Sequence, residues 1–135
     1  MRATDHHKKS ENKMERVFVI IGAISAFIGV AAGAFGAHGL KTRISADLLS
    51  TFEIGVRYQM YHALALIACA WAQSKWPSPI LSAAGWLFAI GTILFCGSLY
   101  LLSIFGIKWL GAITPIGGLA FLSGWACLAL GIWRT

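Results

Sequence analysis

Three stretches of this chain carry no charge and are long enough to cross a lipid bilayer. Val17–Ala37 is twenty-one residues, Ile80–Ile104 twenty-five and Leu110–Trp133 twenty-four. At about 1.5 Å per residue each spans the ~30 Å hydrocarbon core. A backbone in lipid must satisfy its own hydrogen bonds, so these runs are read as helices.

Charge placement supports this. Charged residues are 12% of the chain, half of the roughly 25% usual in a soluble domain. Eight of them lie in the first sixteen residues: Arg2, Asp5, Lys8, Lys9, Glu11, Lys13, Glu15 and Arg16. Residues 1–16 have no apolar periodicity and are expected to form a flexible, solvated tail. Residues 17–135 then make a single membrane domain. The net charge of +6 does not point to nucleic acid, because the basic residues do not form a stripe interleaved with aromatics. They sit at the ends of apolar runs, where Lys and Arg orient membrane helices. Cys69, Cys96 and Cys127 lie singly in apolar runs and read as small apolar fillers.

The first run has a basic start and small residues near its end, as a signal peptide does. It exceeds the about 7–15 residues of a signal's apolar region, so a retained helix is expected. Gly29 and Gly33 form a GxxxG pair that, with Gly36, marks a close-packing face. On this reading Gly33→Leu should disturb folding more than Cys69→Ala. Gly39 is the expected helix stop. Ser45 is the expected N-cap of the next helix, with Asp47 in its first turn.

The second span is the least apolar. Only Ala63–Ala72 is fully apolar, too short to cross alone. A span of about 54–73 therefore has to take in Tyr58, Gln59 and His62, which are tolerated where they face protein. A separate interfacial helix over 45–57 is the alternative. At about 100° per residue, Glu53, Arg57 and Tyr61 share one helix face, and Gly55, Gln59, His62 and Leu66 another. Glu53 and Arg57 are spaced for a helical ion pair.

Lys75–Pro79 reads as a tight loop. The remaining spans are placed at 80–104 and 110–133, joined by a turn around Gly106 and Lys108. Gly117, Gly118 and Gly124 thin one face of the last span for packing. Trp76, Trp109 and Trp133 fall near span ends, as interfacial belt residues do. The fold class is therefore all-α, a four-helix transmembrane bundle with spans of about 17–37, 54–73, 80–104 and 110–133. Four spans put both termini on one side. That side collects seven Lys and Arg (five in the tail, Lys75 and Arg134) against four (Lys41, Arg43, Arg57, Lys108). The balance predicts cytoplasmic termini.

The blocks GAFGAHGLK, FEIGVRYQMYHALAL, LFCGSLYLL and GAITPIGGLAFLSGW, in that order, resemble the domain-of-unknown-function 423 family. These are small YgdD-like bacterial membrane proteins, similar to the eukaryotic transmembrane protein 256 group. The resemblance covers about Val17 to Trp133. It implies four membrane helices, usually in the bacterial inner membrane, and no assigned activity. The family pattern falls on Gly33, Phe35, Gly36, Ala37 and His38, then on Tyr58, Gln59, His62 and Ala63. It continues on Gly97, Ser98, Tyr100, Thr114, Pro115, Gly117 and Gly118. The tail before Lys13 departs from the shorter family start.

No hydrolase, P-loop, zinc-protease or dinucleotide motif is present. Asp47 and Glu53, the only carboxylates beyond the tail, lie on different helix faces. Spacing does not support a Ser98–His62 pair as a nucleophile and base. His38 and His62, with Glu53 nearby, could hold a metal or haem. Hydrogen bonds to neighbouring helices explain them more simply. The candidate site is one polar junction of His38, Glu53, Arg57, Tyr58, Gln59 and His62, with Glu53–Arg57 fastening its outer part. The expected role is a non-catalytic bundle, without cofactor, that binds membrane lipid, a second copy of itself or another membrane protein. An oligomeric transporter or pore using a Gln59/His62 stripe is the alternative, and a metal- or haem-binding protein the third.

Overall fold

The computed structural model describes the backbone of residues 2–135 and the side chains from residue 13 onward. Helix α1 (Arg2–Phe35) continues through one π-helical turn, Gly36–Leu40. Helix α2 is Ala46–Lys75. Helix α3 (Pro79–Gly91) passes through a second π turn, Thr92–Cys96, into α4 (Gly97–Phe105). A 3₁₀ turn, Lys108–Ala112, leads into α5 (Thr114–Trp133). With α3 and α4 forming one rod, the fold is a bundle of four helical rods, without a strand among the described residues. The expected tail lies largely outside the described side chains. Its backbone from Arg2 onward is helical and forms the first part of α1, rather than the flexible segment expected.

Three of the rods are apolar and long enough to cross a membrane: Lys13–Leu40, Pro79–Phe105 and Lys108–Trp133. The fourth, α2, matches them in length and holds the centre. Its buried residues Phe52, Gly55, Gln59, His62, Leu66, Cys69 and Gln73 recur three and four apart. That is the seam spacing of a packed helix. The helix is unbroken from Ala46, so residues 45–57 do not form a separate interfacial helix. Ser45 starts it: its backbone is extended and its Oγ accepts from Leu48 N at 3.3 Å.

Gly39 does not stop the first rod. The chain passes through it as a wide π turn to Leu40, and Gly39 lies under the Phe35 ring, which a Cβ would approach to 2.7 Å. The reversal comes instead at Leu40, whose carbonyl accepts from Arg43 N and Ile44 N. At the far end of α4, Gly106 supplies the stop. Its φ of 69° is left-handed, and its N–H caps Leu102 O at 2.9 Å.

Two antiparallel pairs build the bundle. Along α1, Gly22 lies against Ala63 O, Gly29 against Met60, Gly33 against Val56 and Gly36 against the Phe52 ring. The GxxxG face is thus taken up by α2 within the chain. Its tightest points are Gly22 and Gly29, where a Cβ would sit 2.8 Å from the Ala63 carbonyl and from Met60 Sδ; at Gly33 the nearest neighbour is Val56 at 3.3 Å.

The second pair is a ladder between α3–α4 and α5. Leu81 packs on Gly131, Phe88 on Gly124, Phe121 on Gly91 and Phe95 on Gly117. Ser98 and Thr114 share a 2.7 Å hydrogen bond at the next rung. On each helix the rungs fall seven, three, four and three residues apart. Large side chains sit in holes left by glycine, as close helix packing in lipid requires. Gly118 is not part of this ladder: a Cβ there meets only the Phe95 ring, at 3.9 Å.

The bundle is open. Helix α2 joins the two pairs by packing on α3 and α4, while α1 meets α3 chiefly through Phe18 on Gly85 and Trp86, and α2 meets α5 chiefly through Tyr58 and His62. Helices α1 and α5 form opposite edges. Two grooves follow, one between α1 and α3–α4 with α2 as floor, the other between α2 and α5.

Candidate functional site

The buried polar side chains of α2 are spent on its neighbours. Gln59 is 5% exposed and ties three helices together. Its Nε2 donates to Ser25 O on α1 at 3.0 Å, and its Oε1 accepts from Tyr100 on α4 at 2.6 Å. One turn on, His62 is 4% exposed. Its ring lies flat on Phe121, with centroids 3.4 Å apart and planes at 6°. Trp125 Nε1 donates to His62 Nε2 at 3.2 Å, and His62 Nδ1 lies 2.7 Å from Tyr58 O. An indole nitrogen only donates. Nε2 is therefore the acceptor, and Nδ1 carries the proton of a neutral imidazole that donates to Tyr58 O. Near the end of α2, Gln73 Nε2 donates to Ser82 Oγ at 3.2 Å.

The single junction expected from the sequence does not form. His38 is exposed on the π turn at the end of the first rod, while His62 is buried four turns into α2. The GxxxG seam runs antiparallel between them and sets them apart. Glu53 and Arg57 are both exposed and form no ion pair with each other among the described residues. Tyr58 is half-exposed, its ring against Phe95 at 4.8 Å. Only Tyr58, Gln59 and His62 come together, and Gln59 and His62 turn toward different helices. Ser98 spends its hydroxyl on Thr114 and Phe95 O rather than on His62. Among the described residues no three His, Cys, Asp or Glu side chains converge on a metal-sized site.

The sequence reading missed Ser25, Tyr100 as a partner of Gln59, and Trp125. Ser25 and Trp125 lie in apolar runs where nothing distinguishes an inward from an outward polar atom. Ser25 Oγ is buried and has no hydrogen-bond partner among the described residues.

The groove between α1 and α3–α4 encloses about 540 Å³. Ile24 and Ile28 line one wall, Trp86, Ile93 and Gly97 the other, and Gln59 and Leu66 the floor. A Cβ at Gly97 would meet nothing within 4 Å. The π turn Thr92–Cys96 edges this groove. Thr92 Oγ1 donates back to Phe88 O at 2.8 Å within it, and wide turns of this kind recur at functional positions. The groove on the other side, between α2 and α5, encloses about 780 Å³ and is lined by Tyr58, His62, Phe95, Gly118 and Trp125 among others.

Over residues 32–118 the chain matches the family described as Protein of unknown function (DUF423). The chain belongs to the DUF423 family. A UPF0382 membrane protein of Staphylococcus saprophyticus is 45% identical over 119 residues, 88% of this chain and 98% of the relative. The UPF0382 membrane protein YwdK of Bacillus subtilis is 47% identical over 116 residues, 85% of this chain and 94% of the relative. No solved structure matches. Gln59, His62, Tyr100 and Gly97 fall inside the DUF423 match, and Ser25 and Trp125 lie on either side of it. The chain is a multi-pass membrane protein, as the names of its DUF423 relatives and its own apolar rods agree.

Proposed function

We propose that this chain is a non-catalytic protein of the bacterial inner membrane that holds lipid hydrocarbon in the groove between α1 and α3–α4. The observation that carries the reading is the groove itself: about 540 Å³, within the roughly 300–1,000 Å³ range of ligand sites, almost wholly apolar and open sideways where acyl chains lie. The polar groups point away from catalysis, because each of Gln59, His62 and Ser98 is already bonded within the bundle. The same bonds weigh against a pore, since Gln59 and His62 face separate helices rather than one continuous path. Self-association through GxxxG is also disfavoured, since α2 occupies that face.

Gly97→Leu tests the reading, because the added side chain enters open groove without striking the fold. In native mass spectrometry of protein purified in mild detergent, the wild-type chain should retain lipid. Gly97→Leu should retain clearly less while melting at an unchanged temperature. Equal retention by the two folded proteins would refute the groove as a lipid site.

A further inference from the structure

Glu53 and Arg57 are left without each other. They stand one turn apart on α2, both exposed, and both line a hollow of about 350 Å³ against α1. Gly33 and Gly36 of the first rod form one wall, and Val56 and Tyr61 are among the α2 residues that line the rest. Small residues on α1 make the space, and two opposite charges on α2 face it.

Depth follows from the helix pairing. Gly36 lies against Phe52 and Gly33 against Val56, and the uncharged run of α1 ends at Ala37. Glu53 is therefore level with the last turn of the span, at the membrane edge. Arg57 is about 6 Å deeper by helix rise. A guanidinium inside the apolar layer needs an anionic partner or must reach for the interface. Phosphate suits it, since a guanidinium can bind phosphate oxygens in pairs. A carboxylate one turn nearer water calls for a cation just outside that phosphate.

We propose that this hollow binds the headgroup of a zwitterionic phospholipid with a primary ammonium, of the phosphatidylethanolamine class. The phosphate pairs with Arg57 and the ammonium with Glu53. In such a headgroup the ammonium lies on the water side of the phosphate, the order in which the two side chains stand. A choline headgroup lacks N–H donors for Glu53, and a glycerol headgroup brings no cation. The site is separate from the α1/α3–α4 groove and does not depend on it.

The test titrates detergent-purified full-length protein with dioleoyl phosphatidylethanolamine, phosphatidylcholine or phosphatidylglycerol and reads bound lipid by native mass spectrometry. The ethanolamine lipid should bind about tenfold tighter than the choline lipid, the scale of one charge-assisted hydrogen bond. Glu53→Gln should erase that preference while leaving choline-lipid binding unchanged. Arg57→Gln should weaken all three, and Arg57→Lys should restore part of the loss. Both positions are exposed, and unchanged melting temperatures check the fold. Equal affinity for ethanolamine and choline lipids would overturn the proposal. So would a preference that survives Glu53→Gln, or phosphatidylglycerol binding tightest, which would make the hollow a plain anion site. Gly97→Leu should leave the ethanolamine preference intact, so failure of the groove reading and failure of this one give different results.

Discussion

Gln59 and Ser25 touch across the same helix contact and should answer substitution in opposite ways. Gln59→Leu removes the bond to Ser25 O and strands the Tyr100 hydroxyl, which donates to Gln59 at 2.6 Å. Interhelical hydrogen bonds in membranes average about 0.6 kcal/mol, and a stranded buried group adds its desolvation cost. The expected loss is about 1–2 kcal/mol. Ser25→Ala keeps the backbone carbonyl that Gln59 uses and deletes a hydroxyl with no partner among the described residues. It should be neutral or slightly stabilising, because a buried unpaired polar atom costs free energy. Unfolding both variants in bicelles under a denaturing-detergent titration measures the contrast. A Ser25→Ala protein destabilised as much as Gln59→Leu would mean that the hydroxyl has a partner. The sequence reveals Gln59 and His62 because polar residues stand out in an apolar helix. It cannot reveal Ser25, whose hydroxyl on a membrane helix is as often bonded to its own backbone as to a neighbour.

At the level of the helix, glycine spacing carries the packing, and here the sequence is only half readable. Gly55, Gln59, His62 and Leu66 share one face of α2 by simple helical periodicity, and all four are buried. Glu53, Arg57 and Tyr61 share the other and are exposed. Periodicity names a face but not the helix that will cover it, so the GxxxG pair reads equally well as a dimer seam or an internal one. The ladder of Leu81, Phe88 and Phe95 against Gly131, Gly124 and Gly117 is visible only when two distant segments are aligned antiparallel. Adjacent Gly117 and Gly118 look alike in sequence and differ in structure. A Cβ at Gly117 would collide with the Phe95 backbone nitrogen, whereas Gly118 has room. Overpacking costs typically about 1–3 kcal/mol or more where backbone must move. Gly117→Leu should therefore unfold the protein or lower its melting temperature sharply. Gly118→Leu should shift it little, within about 0.5 kcal/mol. Thermal melting of both in one detergent decides it, and equal shifts would contradict the α3–α4/α5 register.

For the whole molecule, the question is whether a helix too polar to cross by its own composition crosses nonetheless. Three rods meet the length and hydropathy of a membrane span, and α2 does not. Were only those three to cross, the two ends of the chain would lie on opposite sides of the membrane. The packing requires the other answer. Gly22 on α1 meets Ala63, and Gly36 meets Phe52, so α2 runs antiparallel to α1 along the length of that span. Apart from the exposed Arg57, the polar groups that would make crossing costly are turned inward and bonded: Gln59 to Ser25 and Tyr100, His62 to Trp125, and Gln73 to Ser82. Their hydrogen bonds are made within the protein rather than lost to lipid. Helix α2 thus crosses because its neighbours do, and four crossings return the chain to its starting side. The basic residues number seven on that side against four on the other, a balance that predicts a cytoplasmic side for both ends. Alkaline phosphatase and green fluorescent protein fused in turn to each terminus should therefore give the same report at both ends, fluorescent and without phosphatase activity. Opposite reports would remove α2 from the membrane, and with it the floor of the lipid groove. Matching periplasmic reports would keep the fold and reverse only its orientation.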